Sequence, residues 1–97
     1  MIKISGRQIA AARELLSITQ RELAEACGVH NLSISRLEAG STTKPQPDTI
    51  RAIVRELLKR GIEFSNGTGI GIRLDYKKAA AYAASKGDKT PVDPNLG

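Results

Sequence analysis

Few side chains in this sequence can support covalent or metal chemistry. The 97 residues include one cysteine, Cys27, and one histidine, His30. A single cysteine excludes an internal disulfide and a cysteine-based zinc cluster, and no two carboxylates have a spacing suited to acid–base catalysis. We therefore expect no enzyme, no metal and no cofactor. We expect Cys27 to be a small buried hydrophobic residue rather than a reactive thiol.

The chemistry that remains is that of charge and hydrogen bonding. Fifteen lysine and arginine residues against ten acidic residues give a net charge of +5. Residues 1–60 hold ten of the basic and six of the acidic residues, a net charge of +4, so this part favours an anionic partner. No apolar run is long enough to span a membrane, and the first residues do not resemble a signal peptide. We therefore expect a cytoplasmic protein with no membrane partner.

The stretch 19–40 has the pattern of two short helices joined by a tight turn. Thr19 and Glu22 have the spacing of a capping box, which predicts the start of the first helix. Gly28 can adopt the left-handed conformation that ends a helix. The second helix is predicted to begin near Asn31 and to end at the glycine that closes the stretch.

This stretch resembles the helix-turn-helix of the Cro and phage-repressor family, also called the XRE family. The resemblance rests on the joint spacing of small, glycine and apolar positions, and it extends more weakly over residues 5–60. The matching residues are Gln20, Leu23, Ala24, Gly28, Val29, Ile34, Ser35, Arg36, Leu37, Glu38 and Gly40. It implies a mainly α, lambda-repressor-like DNA-binding domain of four helices. The alternative is an αα-hairpin used only for packing.

The resemblance also implies which side chains would contact double-stranded DNA. The second helix of such a motif enters the major groove, and its N-terminal residues reach base edges. The predicted base contacts are Asn31, Leu32, Ser35 and Arg36. Asparagine suits adenine, arginine suits guanine, and leucine can touch a thymine methyl group. The predicted contacts to the DNA backbone are Gln20, His30, Ser33, Thr43 and Lys44.

Two positions have alternative interpretations. His30 lies where the family often has a serine or threonine cap, and because histidine caps poorly the helix start can shift by one residue. His30 is then either a donor that faces DNA or simply exposed. In the resembling family a basic residue at the position of Arg13 pairs with a glutamate, here Glu38. The alternative is an ordinary solvated arginine.

Capping and periodicity predict a helix on each side of the motif. Ser5 and Gln8 form a capping box for the first helix, and Pro47 suits the first turn of the fourth, which ends near Arg60. The apolar stripe of the first helix is Ile9, Ala12, Leu15 and Leu16. The stripe of the fourth is Ile50, Ile53, Val54, Leu57 and Leu58.

The last third of the chain has a different pattern. Alternation on both sides of a glycine-rich turn predicts a β-hairpin over residues 61–74, and such a hairpin needs support from the helices or from a second subunit. The predicted dimer contacts are Ile62, Phe64, Ile70, Ile72 and Leu74; the alternative is a hairpin that covers the core, with dimerisation through the fourth helix. Residues 75–86 are an alanine-rich segment, helical or fraying, and 87–97 are expected to be disordered.

We therefore predict a DNA-binding domain over residues 1–60, a dimerisation hairpin over 61–74 and a tail over 75–97. The resemblance implies a sequence-specific transcriptional regulator of bacterial or phage origin, most simply a dimeric repressor that reads a palindromic operator. The alternative is an antitoxin-like or adaptor protein whose hairpin and tail bind a partner protein.

Overall fold

The computed structural model describes residues 4–40 and 46–86. Within these ranges it has five helices and one two-stranded antiparallel sheet. The helices are α1 (Gly6–Leu16), α2 (Gln20–Cys27), α3 (Asn31–Ala39), α4 (Pro47–Lys59) and α5 (Tyr76–Ser85), and the strands are β1 (Ile62–Ser65) and β2 (Gly71–Leu74). This arrangement confirms the predicted fold class. Thr43, Lys44 and the tail expected to be disordered lie outside the described residues.

The first two helices begin at the predicted capping boxes. The Ser5 side chain accepts from the backbone N–H of Gln8 while the Gln8 side chain accepts from the backbone N–H of Ser5. Thr19 and Glu22 form the same reciprocal pair at the start of α2. Each such cap contributes about 1 kcal/mol to stability, because it satisfies N–H groups that have no partner inside the helix.

The buried core lies between the first four helices and β1. Its buried members are Ile9, Ala12, Leu23, Ala24, Ile34, Ile53, Leu57 and Ile62. Leu15, predicted on the apolar stripe of α1, is instead 48% exposed. Successive helical residues are rotated by about 100°, which places Leu15 at the edge of the stripe that Ile9 and Ala12 define. The apolar pattern therefore located the helix but overstated the width of its buried face.

The hairpin lies on the helices of its own chain. Ile62 pairs with Leu74, and Phe64 pairs with Ile72, so these four side chains share one face of the ribbon. That face packs against the helical core. Ile62 was predicted to contact a second subunit, and this requires correction because its side chain is fully buried in its own chain. Ile70 precedes β2 and is 56% exposed.

A buried glutamine joins α1 to the hairpin. The side chain of Gln8 is almost fully buried, and its Nε2 lies 3.2 Å from each of three acceptors. These acceptors are the carbonyl oxygens of Ser65 and Gly71 and the side-chain oxygen of Asn66. The residue that caps α1 therefore also offers its two amide hydrogens to these acceptors, where the two strands meet the turn.

The last helix is held by a close backbone contact and by a cation–π contact. Gly61, with φ of +105°, accepts a 2.8 Å hydrogen bond from the Asp75 N–H, and a Cβ there would lie 2.8 Å from the Ala79 nitrogen. The Arg60 guanidinium lies over the ring of Tyr82, with its Cζ 5.0 Å from the ring centroid. Residues 76–85 are thus a docked helix, one of the two possibilities that the sequence left open.

Candidate nucleic-acid interface

The turn between α2 and α3 has the geometry that a helix-turn-helix needs. Gly28 ends α2 with φ of +70°, a conformation that costs glycine little. The Val29 N–H then donates to the Ala24 carbonyl at 3.0 Å, and α3 begins at Asn31. The predicted start of the second helix is therefore confirmed, without a shift of one residue.

The cap of α3 is the histidine itself. His30 is the N-cap residue, and its Nδ1 accepts a 3.3 Å hydrogen bond from the Leu32 N–H. Only an unprotonated nitrogen can accept, so this contact assigns the ring hydrogen of neutral His30 to Nε2. The imidazole thus replaces the serine or threonine oxygen. His30 remains exposed, with a donor suited to a phosphate oxygen.

One side of α3 carries all four predicted base contacts. Asn31 and Leu32 lie in the first turn, and Ser35 and Arg36 lie one turn further on. We call these four residues the α3 face. Leu32 is 50% exposed there, whereas Ile34 on the opposite side is fully buried. The α3 face therefore combines amide, hydroxyl and guanidinium groups with one apolar side chain, a set that can distinguish base pairs in the major groove.

The orientation of α3 is supported by an ion pair to α1. Arg13 contacts both carboxylate oxygens of Glu38, with Nε–Oε2 and Nη2–Oε1 distances of 2.9 and 3.1 Å, and it also donates to the Ile18 carbonyl. The Arg13 and Glu38 side chains are only 16% and 8% exposed. The hydrogen bond to Glu38 raises the pKa of Arg13 above its usual value. The structure thus has the Arg13–Glu38 pair that the resemblance implied.

Gln20 joins the same cluster from α2. Its side-chain Nε2 donates to Glu38 Oε1 at 3.0 Å. An amide nitrogen carries two hydrogens, so this bond fixes the side chain and leaves a second donor. Gln20 is the first residue of α2, where backbone N–H groups and the helix dipole favour an anion. Arg13, Gln20 and Glu38 form what we call the α3 support cluster.

The remaining predicted backbone contacts have different positions. Ser33 is partly buried at the edge of the α3 face, and its N–H donates to the His30 carbonyl at 2.9 Å. Thr43 and Lys44 are outside the described residues. The structure therefore brings Gln20, His30 and Ser33 to the ends and edge of the motif.

The sequence interpretation missed Gly6, which helps to position α3. A Cβ at Gly6 would lie 1.8 Å from the Leu37 carbonyl oxygen, so the start of α1 touches the backbone of α3. Glycine inside a helix costs about 1 kcal/mol relative to alanine. A glycine directly after a well-formed serine cap was the available signal that two backbones approach closely there.

Other candidate chemistry is not supported by the described part of the chain. Burial raises the pKa of the Cys27 thiol to about 11, which fits a small hydrophobic residue better than a reactive thiolate. Across residues 4–40 and 46–86, no three histidine, cysteine or acidic residues are grouped in a way that could hold a metal ion. None of the helices in these ranges is both long and apolar enough to cross a membrane.

Comparison with known families agrees with this geometry. A family model described as helix-turn-helix matches residues 9–60, which is more than half of the chain and includes α2 and α3. The chain therefore belongs to the helix-turn-helix family of the XRE type. It is a DNA-binding transcriptional regulator in the general sense, and the family is not a catalytic one. No curated protein matches the chain.

Proposed function

We propose that the protein is a cytoplasmic, dimeric repressor that reads a palindromic operator in double-stranded DNA. The observation that carries this proposal is the α3 face, where Asn31, Leu32 and Arg36 are exposed while the α3 support cluster fixes the helix behind them. A fixed helix is needed because base discrimination depends on hydrogen bonds of defined geometry.

Each side chain has a distinct proposed role in this complex. Asn31 would contact adenine, Arg36 guanine and Leu32 a thymine methyl group, with Ser35 close to the base edges. The proposed phosphate contacts are Gln20, His30, Ser33, Thr43 and Lys44. Phosphate contacts fix the position of the protein on the duplex, whereas base contacts select the sequence.

A dimer contact is supported by a groove between α1 and the hairpin. Its apolar part contains Leu15, Ile70 and Ile72, of which Leu15 and Ile70 are about half exposed. Arg7 and Glu14, from the two ends of α1, also line it. We call these five residues and Ala11 the hairpin groove.

The charges of the hairpin groove suit a second copy of the chain. Two α1 helices packed antiparallel about Ala11 would place Arg7 of each copy near Glu14 of the other. Such an interface is self-complementary, as two-fold symmetry requires. Ile70 and Ile72 would then be dimer contacts, as the sequence predicted. Phe64, Ile72 and Leu74 are all partly buried against the core of their own chain, but of these three only Ile72 also lines the hairpin groove.

The readout proposal is tested by selecting bound sequences from a random DNA pool and then measuring Arg36→Ala. We expect this variant to lose about 1–3 kcal/mol on the selected sequence and to relax preference at one base position. Equal losses on selected and scrambled DNA would mean that Arg36 contacts only phosphate. Affinity should also fall with salt, with a slope of about −0.9 per phosphate neutralised.

The dimer proposal is tested by sedimentation of two matched variants. Ile70→Ser should dissociate the dimer, because it removes exposed apolar surface from the hairpin groove. Leu58→Ser alters a similarly exposed residue on α4 and should leave the dimer intact. The opposite pattern would assign the dimer contact to α4. Truncation after Arg60 is a poorer test, because it removes Ile62 from the core.

A further inference from the structure

A second groove runs along the outer side of α4. Its apolar lining is formed by Ile50, Val54 and Leu58, together with Ile4 and Phe64. We call this site, together with Arg51 and Arg55 at its rim, the helix-four groove. It encloses about 490 Å³ and includes no residue of α2 or α3. It is therefore separate from the α3 face.

The floor of the helix-four groove has the spacing that an amphipathic helix recognises. Ile50, Val54 and Leu58 lie four residues apart and form one ridge along α4. Leu58 is 49% exposed although it belongs to this apolar ridge. A partner helix with apolar side chains at positions i, i+4 and i+7 can insert them beside such a ridge.

The charged residues that line the helix-four groove are two arginines. Arg51 and Arg55 lie one turn apart, and no acidic residue of ranges 4–40 and 46–86 lines the groove. Arg51 pairs with the exposed carboxylate of Asp48 on its own helix. Arg55 has no ion pair within the part of the chain that the structure describes. An occupant with carboxylates beside its apolar residues would complement this rim.

The same rim disfavours two other occupants. A second copy docked here about a two-fold axis would bring Arg51 and Arg55 of both copies to the same edge of the interface, where like charges repel. DNA would offer phosphates to the arginines but nothing to the apolar floor.

We propose that the helix-four groove binds an acidic amphipathic helix of a partner protein. The apolar face of that helix lies on Ile50, Val54 and Leu58, and its acidic flank faces Arg51 and Arg55. This goes beyond the proposed repressor function and does not depend on it. The regulator would then hold DNA with one surface and a protein with another.

The test is fluorescence anisotropy of two labelled synthetic peptides against the full chain, without DNA. Both peptides have leucines at i, i+4 and i+7 on a helical backbone. One carries glutamates on the flank and the other carries lysines at the same positions. We expect the glutamate peptide to bind at least about tenfold tighter at low salt, with the difference shrinking as salt rises.

Matched variants locate the binding site. Leu58→Ser and Arg55→Glu should each weaken the glutamate peptide by about tenfold. Leu15→Ser and Arg7→Glu make the same changes at the hairpin groove and should leave peptide affinity unchanged. Circular dichroism of all four proteins confirms that each is folded before the affinities are compared.

Three results would overturn the proposal. The first is equal binding of the two peptides, or binding of neither. The second is retention of glutamate-peptide affinity by both Leu58→Ser and Arg55→Glu. The third is a wild-type dimer that Leu58→Ser dissociates, which would show that a second copy occupies the helix-four groove.

Discussion

The hairpin groove and the helix-four groove have similar apolar floors but different charged rims. They enclose about 570 and 490 Å³ respectively, and each includes a leucine that is about half exposed. The hairpin groove has one arginine and one glutamate on α1, whereas the helix-four groove has two arginines on α4. Apolar area makes both grooves suitable for binding, and the rim charges separate a self-complementary surface from one that requires an acidic partner.

The two grooves also differ in how they are built. The floor of the helix-four groove is the outer side of α4, a helix whose inner side supplies Ile53 and Leu57 to the core. One wall of the hairpin groove is a two-stranded ribbon, which is marginal alone and is tied to α1 by Gln8. The hairpin groove should therefore be the more easily disturbed of the two.

The largest expected effect comes from Gly6→Ala, at the contact between the start of α1 and the backbone of α3. Gly6 lies between Ile4 of the helix-four groove and Arg7 of the hairpin groove. The added methyl group would meet the Leu37 carbonyl at 1.8 Å, so α1 and α3 must separate. We expect unfolding to become easier by about 3 kcal/mol, measured by urea denaturation, with weaker binding to DNA.

The control for this variant is Gly67→Ala, because the space around a Cβ at Gly67 is open and its backbone does not need a positive φ. Its stability should match the wild type within about 0.5 kcal/mol. If Gly6→Ala were equally harmless, the close approach of α1 and α3 would be wrong.

The next largest effect is expected for Gln8→Leu, which should disturb the hairpin groove more than the helix-four groove. Leucine fits the buried volume but removes the amide that donates to the Ser65 and Gly71 carbonyls, at a cost of about 2 kcal/mol. Hydrogen exchange should accelerate mainly in β1 and β2, and the dimer should weaken because Ile70 and Ile72 lose their positions. Faster exchange spread evenly over all helices would mean that Gln8 supports the whole fold instead of the hairpin.

Local sequence signals were sufficient to predict the bounds of the two helices in the helix-turn-helix. Thr19, Glu22 and Gly28 determine where helices start and stop through contacts within one or two turns, so they could be interpreted without a structure. His30 departed from this pattern, yet its ring nitrogen caps α3 as a hydroxyl oxygen would. The base contacts of the α3 face stay predictions, although the structure places them on one surface.

The long-range contacts could not be predicted in the same way. Gln8 was identified as a capping residue, but nothing near it in the sequence indicated that its amide would reach Ser65 and Gly71. Ile62 alternates with polar residues as an exposed ribbon would, and its burial depends on helices far away in the chain. The Arg13–Glu38 pair was accessible only through the family resemblance. Such contacts form only when the fold brings distant parts of the chain together, and local propensity does not predict which residues then meet.

A smaller effect tests the charge comparison directly. Arg7→Glu and Glu14→Arg should each weaken the dimer by about 1 kcal/mol, because each places like charges together in an exposed interface. The double variant should restore much of this loss, since it recreates opposite charges across the two-fold axis. Sedimentation equilibrium gives the dimer constants, and Arg55→Glu is the control with no expected change. Failure of the double variant to recover would argue against the antiparallel α1 contact.

The smallest expected effect is the loss of stability when acid protonates Glu56, near the end of α4. This residue is 7% exposed, accepts from Arg60 at 2.8 Å and lies 3.4 Å from Lys59. Burial alone would raise the pKa of Glu56, but the hydrogen bond and charge of Arg60, together with Lys59, hold it below its usual value. The carboxylate therefore stabilises the fold fully above the ordinary glutamate pKa of about 4.3. That contribution is lost as the pH falls through the lower folded-state value.

Thermal unfolding of the wild type and Glu56→Gln at a series of pH values measures this contribution. The wild type should be more stable near neutral pH, and the difference should disappear in acid once Glu56 is protonated. Glu25→Gln removes an exposed i, i+4 pair with Arg21 and should change stability little at any pH.

Because Glu56 contacts Arg60 and Tyr82, the acid effect should loosen α5 and the end of α4 before it reaches the hairpin groove. A difference between wild type and Glu56→Gln that stays constant into acid would mean that Glu56 stabilises the fold through packing and not through its charge.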